Sequence, residues 1–235
     1  MSRTARVVVP GIPMHITQRG SRRFDVFRDE ADRLDYLRLL RDCCRDYCLR
    51  LLAYCLMTNH VHFVAIPDRL DSVRRVFHRL NGTHSQHFNR KYEFVGHLWQ
   101  ERPFSCLLDE SHLINAVRYV EQNPLRAKMV AQSADYPWSS AAAHCSGSED
   151  PWLDVEPPPF VIPDWRQWLN TGSDGQADKF IRECTKTGSP CGSSAFVQQI
   201  EERTNRDFTK KKPGPKPNVK QEQPLLLRAE DSIER

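Results

Sequence analysis

Hydrophobic side chains along the first 145 residues alternate between two patterns, one with helical spacing and one with strand spacing. After Asp29, apolar residues recur every three or four positions, which is typical of one face of an amphipathic helix. Shorter apolar segments, alternating or continuous, indicate strands. The predicted strands occupy 14–18, 49–58, 60–67 and one or two segments within 94–109. The predicted helices occupy 30–47, 72–92 and a third segment from Ser111 to about Pro124.

This order of elements, β-α-β-β-α-β-α, predicts the fold class. It suits an α+β fold of the ferredoxin-like (RRM-like) kind, an antiparallel sheet with helices on one face. Beyond Gly147 the chain becomes irregular and rich in proline and tryptophan, with short helices predicted at 175–185 and 194–204. The predicted organisation is a core domain at 1–147, an irregular and helical extension at 148–208, and a basic, disordered tail at 209–235.

Composition narrows the class of protein further. The 235 residues carry a formal net charge of +4, so the placement of the charge matters more than its sum. No apolar segment approaches the roughly 18 residues of a membrane helix, and the N-terminus lacks the pattern of a signal peptide. The eight cysteines form no C-x-x-C pair, and we interpret them as small buried hydrophobic residues in a reducing cytoplasm.

Two histidines stand one residue apart in the third predicted strand. Alternate strand residues point to the same face, so His60 and His62 project together, while Val61 and Phe63 face the core. Two imidazoles on one face can bind one divalent ion. Most pairs of this kind are ordinary surface residues, so the histidines alone do not decide the function.

A tyrosine and an asparagine share one face of the third predicted helix. Tyr119 and Asn123 lie four residues apart in NAVRYVEQNPLRAK. A tyrosine can be a nucleophile toward phosphate, and an amide can offer its carbonyl oxygen to a metal. Each residue alone has a structural interpretation, but together with the histidine pair they favour a metal-assisted reaction on a phosphodiester.

Several stretches within residues 13–145 resemble one known family. HITQRGSRR, LAYCLMTNHVHFVAIP, HLWQERPF, YVEQNPLRAKMV and DYPWSS match, in order and spacing, the REP-associated tyrosine transposases of the HUH superfamily, relatives of small insertion-sequence transposases. The resemblance implies that His60 and His62 bind the metal and that Tyr119 is the nucleophile. It implies Asn123 as a third ligand and Mg2+ or Mn2+ as the cofactor. The implied activity is endonuclease and strand-transferase chemistry on single-stranded or hairpin DNA through a covalent 5′-phosphotyrosine intermediate.

Basic residues indicate where DNA lies. The segment from 73 to 92 carries arginines and a lysine but no acidic residue, which favours contact with a polyanion. A second basic cluster surrounds Gly20, and Trp99 is either a platform for an unpaired base or a core residue. The predicted DNA-contacting residues are Arg19, Arg22, Arg23, Arg74, Arg75, Arg79, Arg90, Lys91, Trp99, Arg102, Lys210, Lys211 and Lys212.

Two other functions stay open at this point. One is a nucleic-acid-binding module of the same fold without catalysis, and the other is a metal-dependent phosphodiester hydrolase without a covalent step. A hydrolase normally brings several carboxylate ligands, and the only plausible donors are Asp109, Glu110 and Glu121. We expect a bacterial cytoplasmic protein associated with the nucleoid. The sequence does not distinguish a homodimer from a monomer.

Overall fold

A four-stranded antiparallel sheet forms the centre of the molecule. The structure, a computed structural model, describes residues 6–153, 160–172 and 175–208. The strands are β1 (Met14–Arg19), β2 (Leu49–Leu56), β3 (His60–Pro67) and β4 (Phe104–Leu107). Their order across the sheet is β2-β3-β1-β4, with helical connections after β1 and β3, which confirms the predicted ferredoxin-like α+β class. The basic tail predicted at 209–235 lies outside the described residues.

Helices α1 (Glu30–Tyr47) and α2 (Ser72–Tyr92) cover one face of the sheet. The first begins with a capping box, in which Asp29 and Asp32 each bind the other's backbone N–H. Val61 and Phe63 of β3 point into this core, as their alternation predicts. In the part of the chain described, no helix is both long and apolar enough to cross a membrane.

Helix α3 (Glu110–Glu121) covers the other face of the sheet, against β2 and β3. The prediction that the helices lie on one face is therefore wrong, because Ala53 of β2 and Val64 of β3 present a second apolar face that α3 buries. The helix begins at Glu110, slightly earlier than predicted. Its N-cap is Asp109 and not Ser111, and the Asp109 side chain accepts a hydrogen bond from the His112 backbone N–H at 2.8 Å. The segment predicted to hold one or two strands contains only β4. Before it, Trp99 makes a single isolated bridge to Gly20, and Pro103 has no N–H to add to a ladder.

The extension beyond Gly147 packs against the same sheet. The remaining helices are α4 (Asn123–Arg126), α5 (Ala141–Ser146), α6 (Trp165–Asn170), α7 (Gly175–Thr187) and α8 (Ser194–Thr204). Helix α7 lies against β4, β1 and α3, and Ile181 is fully buried there. After α7, Cys191 bridges to Leu108 beside β4. The predicted helices at 175–185 and 194–204 are therefore parts of the core packing rather than an appendage.

Candidate active site

The two histidines of β3 project from the face that α3 covers. Their ring centroids lie 5.1 Å apart. The antiparallel partner β1 places Arg19 opposite His60 and Thr17 opposite His62. Because side chains alternate along both strands, Arg19 and Thr17 share the face of the histidines. The pair predicted from the sequence is thus side by side on a central strand of the sheet.

Tyr119 of α3 reaches the same place from above the sheet. Its ring centroid lies 5.6 Å from that of His62, with the two rings nearly perpendicular. The tyrosine side chain is buried, with only 6% of the residue exposed to solvent. Residues 57 positions apart in the sequence meet here, and the structure brings together His60, His62 and Tyr119.

Asn123 lies beyond a break in the helix that carries Tyr119. Helix α3 ends at Glu121, and Asn123 starts α4, whose second residue is Pro124. The residue before a proline is disfavoured in helical conformation, and proline has no N–H to donate. The Asn123 Nδ2 donates to the backbone oxygens of Tyr119 at 2.9 Å and Val120 at 3.0 Å. The amide nitrogen of Asn123 thus caps the C-terminal end of α3. That the amide oxygen binds a metal stays a prediction.

A third histidine, His15 of β1, completes the ring cluster and escaped the sequence analysis. It is 1% exposed, and its centroid lies 5.4 Å from His62 and 5.5 Å from Tyr119. Its Nε2 lies 3.2 Å from the His62 Nδ1. The signal that could have found it is alternation, since His15, Thr17 and Arg19 share one face of β1.

Arg126 is the second missed residue. Its guanidinium carbon lies 4.3 Å from the Tyr119 ring centroid, and it donates to the backbone oxygen of Tyr119 at 2.6 Å. It also pairs with Asp178 of α7 at 3.1 Å. No local pattern marks this role, because Asp178 follows 52 residues later in the extension. The arginine therefore ties the tyrosine to α7.

The electrostatics of the site keep His60 and His62 neutral at pH 7. Burial, with Arg19 as the second cause, lowers the pKa of His60 to about 4. Burial also lowers the pKa of His62 well below its usual range, with His60 and His15 adding to the effect. Burial raises the pKa of Tyr119, while the positive charge of Arg126 opposes that rise. The neutral imidazole is the form that binds a metal, and the phenol is protonated at rest.

The hydrogen bonds of Asn59 fix the protonated nitrogen of His60. The Asn59 Nδ2 donates to the backbone oxygen of Arg23 at 3.1 Å, so its Oδ1 faces His60. That oxygen lies 2.6 Å from the His60 Nδ1 and can only accept. The proton of the neutral ring is therefore on Nδ1, and Nε2 keeps a lone pair that can bind a cation.

The donor set fits a divalent cation held mainly by nitrogen and neutral oxygen. Within residues 6–153, 160–172 and 175–208, no three His, Cys, Asp or Glu side chains are grouped as a metal site. Glu121 is fully buried and accepts from Ser140 and His144, while Asp109 caps α3. A cation between the two imidazoles would take its further ligands from an amide, a phosphate or water.

The predicted DNA-contacting residues fall into separate groups. Arg19 lies at the site, and Arg22 and Arg23 follow it in an exposed 3-10 turn with positive φ angles of 53° and 65°. Such backbone is unfavourable for a residue with a Cβ and is often found at functional sites. Arg102 is exposed. Lys210, Lys211 and Lys212 lie outside the described residues.

Helix α2 carries its charges away from the histidines, on the opposite side of the sheet. The exposed residues there include Arg74 and Arg90. Arg75 pairs with Asp71, the N-cap of the same helix, at 3.6 Å. Two others pair with acidic residues of α1 and its cap: Arg79 with Asp46 at 2.9 Å, and Lys91 with Asp29 at 2.7 Å and Asp32 at 2.8 Å. The structure therefore does not bring this helix together with the site.

Trp99 is a core residue. It is 7% exposed and packs near Tyr36 and His84 beneath α1 and α2. This burial corrects the prediction that Trp99 could stack on an unpaired base, and the second interpretation, a core tryptophan, holds. The physical reason is that Trp99, like Leu98 before it, packs into the hydrophobic core on this face of the sheet. Burial there removes the large apolar surface of the indole from water.

Comparison with known proteins places the chain in a family. Residues 8–123 match the sequence model of the family described as Transposase IS200 like. This segment includes His60, His62, Tyr119 and Asn123, and it is a domain of the IS200-like transposase family. No curated protein matches the chain.

Two solved structures are similar in fold. One is a REP-associated tyrosine transposase bound to a REP hairpin, with 18% identity and a TM-score of 0.49, covering 69% of this chain and 99% of the other. The second is a protein from Deinococcus radiodurans R1 named as a transposase, with 21% identity and a TM-score of 0.35, covering 52% and 97%. Both likenesses concern the fold, and no residue's role follows from them.

The buried His60 predicts a pH dependence of stability. Its pKa is about 4 in the folded chain and 6.5 in its ordinary state, so between these values the unfolded chain binds more protons. The free energy of unfolding therefore falls as pH falls through this window. In metal-free protein, His60→Asn should reduce the slope of that free energy against pH. Urea titrations measure it, and above pH 7 the two slopes should coincide. An unchanged slope between pH 4 and 6.5 would contradict the assignment.

Proposed function

We propose that this protein cuts and rejoins single-stranded DNA, with Tyr119 as the nucleophile and a divalent cation, Mg2+ or Mn2+, held by His60 and His62. The amide oxygen of Asn123 is the third protein donor in this proposal. The observation that carries it is the direct packing of the buried Tyr119 ring on His62 beside His60. A nucleophile and two neutral imidazoles in contact are the parts that phosphodiester cleavage by tyrosine needs.

The reaction proceeds by exchange of one phosphate ester for another. The Tyr119 hydroxyl oxygen attacks the scissile phosphorus and forms an O–P bond, while the bond from phosphorus to the DNA 3′-oxygen breaks. The phenolic proton leaves, and the departing 3′-oxygen takes up a proton to become a 3′-OH. A divalent cation, when bound, supplies positive charge to the phosphate. Since the 5′-phosphotyrosine keeps the ester bond, a 3′-OH can later reverse the step.

Burial and the neighbouring Arg126 have opposite effects on the reactivity of the Tyr119 phenol. Burial raises the pKa of Tyr119, which makes the phenolate harder to form. The Arg126 guanidinium beside the ring works in the opposite direction and stabilises the negative phenolate. Asp178 and the backbone oxygen of Tyr119 hold that guanidinium in place. We assign Arg126 as a residue that positions and activates the nucleophile.

DNA approaches, in this proposal, from the side of the turn that follows β1. Gly20 and Arg23 in this turn are hydrogen-bonded to Asn59, next to His60. An adjacent cavity of about 440 Å³ is lined in part by Phe24 and Phe94, which are 64% and 45% exposed. Exposed rings beside arginines suit an unpaired base and its phosphates. By the sequence resemblance, a hairpin with a single-stranded flank is the proposed substrate.

The two alternative functions fit the site less well. A hydrolase without a covalent step would need carboxylates, yet Asp109 and Glu121 are engaged in capping and buried hydrogen bonds. A binding module without catalysis would have no use for a buried tyrosine held over two neutral histidines. The hydrolase would leave no protein attached to the DNA, so one adduct assay separates both alternatives from the proposal.

Replacement of Tyr119 by phenylalanine should abolish cleavage and the covalent adduct while leaving the fold intact. The ring and nearly all its buried area remain, and only the nucleophilic oxygen is lost. The assay is a labelled hairpin with a single-stranded flank, incubated with Mn2+ and run on a denaturing gel. Tyr136→Phe is the matched control, since Tyr136 is 5% exposed in the same hydrophobic cluster and its hydroxyl donates to the Leu56 backbone oxygen, away from the histidines. Adduct formed by Tyr119→Phe at the wild-type level would refute the assignment.

The turn after β1 should matter more for DNA binding than helix α2. We predict that the double variant Arg22→Ala with Arg23→Ala weakens binding of the hairpin and reduces its salt dependence by about two charges. The control, Arg75→Ala with Arg79→Ala, removes the same charge from residues already paired with Asp71 and Asp46. Affinities over a range of salt concentrations, from fluorescence anisotropy, decide between the surfaces. A larger loss in the α2 variant would contradict the proposed DNA path.

A further inference from the structure

Thr185, on α7 of the extension, has a hydroxyl whose direction is fixed. It is 3% exposed, and its Oγ1 lies 2.7 Å from the Ile181 backbone oxygen. A carbonyl oxygen can only accept, so the single hydroxyl proton of Thr185 points to Ile181. Every other neighbour of this oxygen must therefore donate to it.

One such neighbour is the third histidine of the ring cluster. The His15 Nδ1 lies 2.7 Å from the Thr185 Oγ1, so it carries a proton and donates. A neutral imidazole has one N–H, which leaves the His15 Nε2 as an acceptor. That Nε2 lies 3.2 Å from the His62 Nδ1, which must then be the donor. The Nε2 of His62 is left with its lone pair.

We propose that α7 sets the tautomer of a metal-binding histidine: Thr185, acting through His15, holds the proton of His62 on Nδ1 and presents its Nε2 to the cation. The inference rests on the proposed function of His62 as a ligand. Asn59 does the same for His60 from the β2–β3 turn, so both rings offer the same nitrogen. His15 and Thr185 are positioning residues, because neither needs to touch the metal or the DNA.

The loss of the Thr185 hydroxyl has a defined consequence. Without its acceptor, the His15 proton can move to Nε2 and donate to the His62 Nδ1. His62 would then carry its proton on Nε2, where no lone pair remains for a cation. Groups that orient metal ligands in this way typically contribute roughly ten- to a hundredfold to metal affinity.

The first test reads the tautomers directly in the metal-free protein. Long-range proton–nitrogen NMR spectra of histidine-labelled protein distinguish a protonated ring nitrogen from one with a lone pair. We expect wild-type His62 and His15 to carry their protons on Nδ1. In Thr185→Val, which has nearly the same shape but no hydroxyl, His62 should shift toward the Nε2-protonated form. A wild-type His62 protonated on Nε2 would overturn the proposal, whether or not the protein cuts DNA.

The second test measures Mn2+ affinity without DNA, from the electron paramagnetic resonance signal of the free ion. Thr185→Val should lower the affinity by roughly tenfold, and Thr185→Ser, which keeps the hydroxyl, should restore it. Thr187→Val is the matched control: it makes the same substitution on α7, at an exposed hydroxyl that donates to the Glu183 backbone oxygen at 3.0 Å. We expect near wild-type affinity from this variant.

The outcomes separate this inference from the proposed function. Wild-type affinity in Thr185→Val, together with normal adduct formation, would overturn the role of α7 and leave the function intact. An equal loss in Thr185→Ser or in Thr187→Val would also overturn it, since general disturbance of the packing would then explain the effect. Absence of Mn2+ binding and of adduct in the wild type would refute the proposed function, while the tautomers would still test the chain of hydrogen bonds.

Discussion

The antiparallel pairing of β1 with β3 is the constraint on which the rest of the site depends. Its register sets Thr17 opposite His62, and alternation then brings His15 and Arg19 to the histidine face. A slip of one residue would send every one of these side chains into the core beneath α1 and α2. Because Val61 and Phe63 are buried there, the hydrophobic effect that holds the sheet together also holds the register of the site.

Helix α7 couples the extension to both Tyr119 and His62. Asp178 and Thr185 lie seven residues apart, two turns along one helix face, with Ile181 buried between them. One end of that face reaches Tyr119 through Arg126, and the other reaches His62 through His15. A helix that packs against β4, β1 and α3 is a rigid support for both, and rigid support is what a site with small tolerance in geometry requires.

The sequence is sufficient for the features that depend on local periodicity. The strands, α1, α2 and the shared face of His60 and His62 follow from alternation and helical spacing within a few residues. The sequence does not reveal contacts between residues that lie far apart in the chain. The acidic partners of Arg79 and Lys91 belong to α1 and its cap. The hydrogen-bond partner of His15, Thr185, follows 170 residues later. The burial of Trp99 was undecidable for the same reason, since a tryptophan outside any periodic segment fits a core and a surface equally.

The most direct measurement of the central claim is the chemical position of the DNA on the protein. The adduct formed with Mn2+ and a hairpin substrate can be digested with nuclease and trypsin and analysed by mass spectrometry. Trypsin cuts after Arg118 and Arg126, so the peptide 119–126 contains Tyr119 as its one tyrosine. We predict that this peptide carries the residual nucleotide, linked through the 5′-phosphate. A nucleotide on a peptide with another tyrosine, or cut DNA with no modified peptide, would contradict the account.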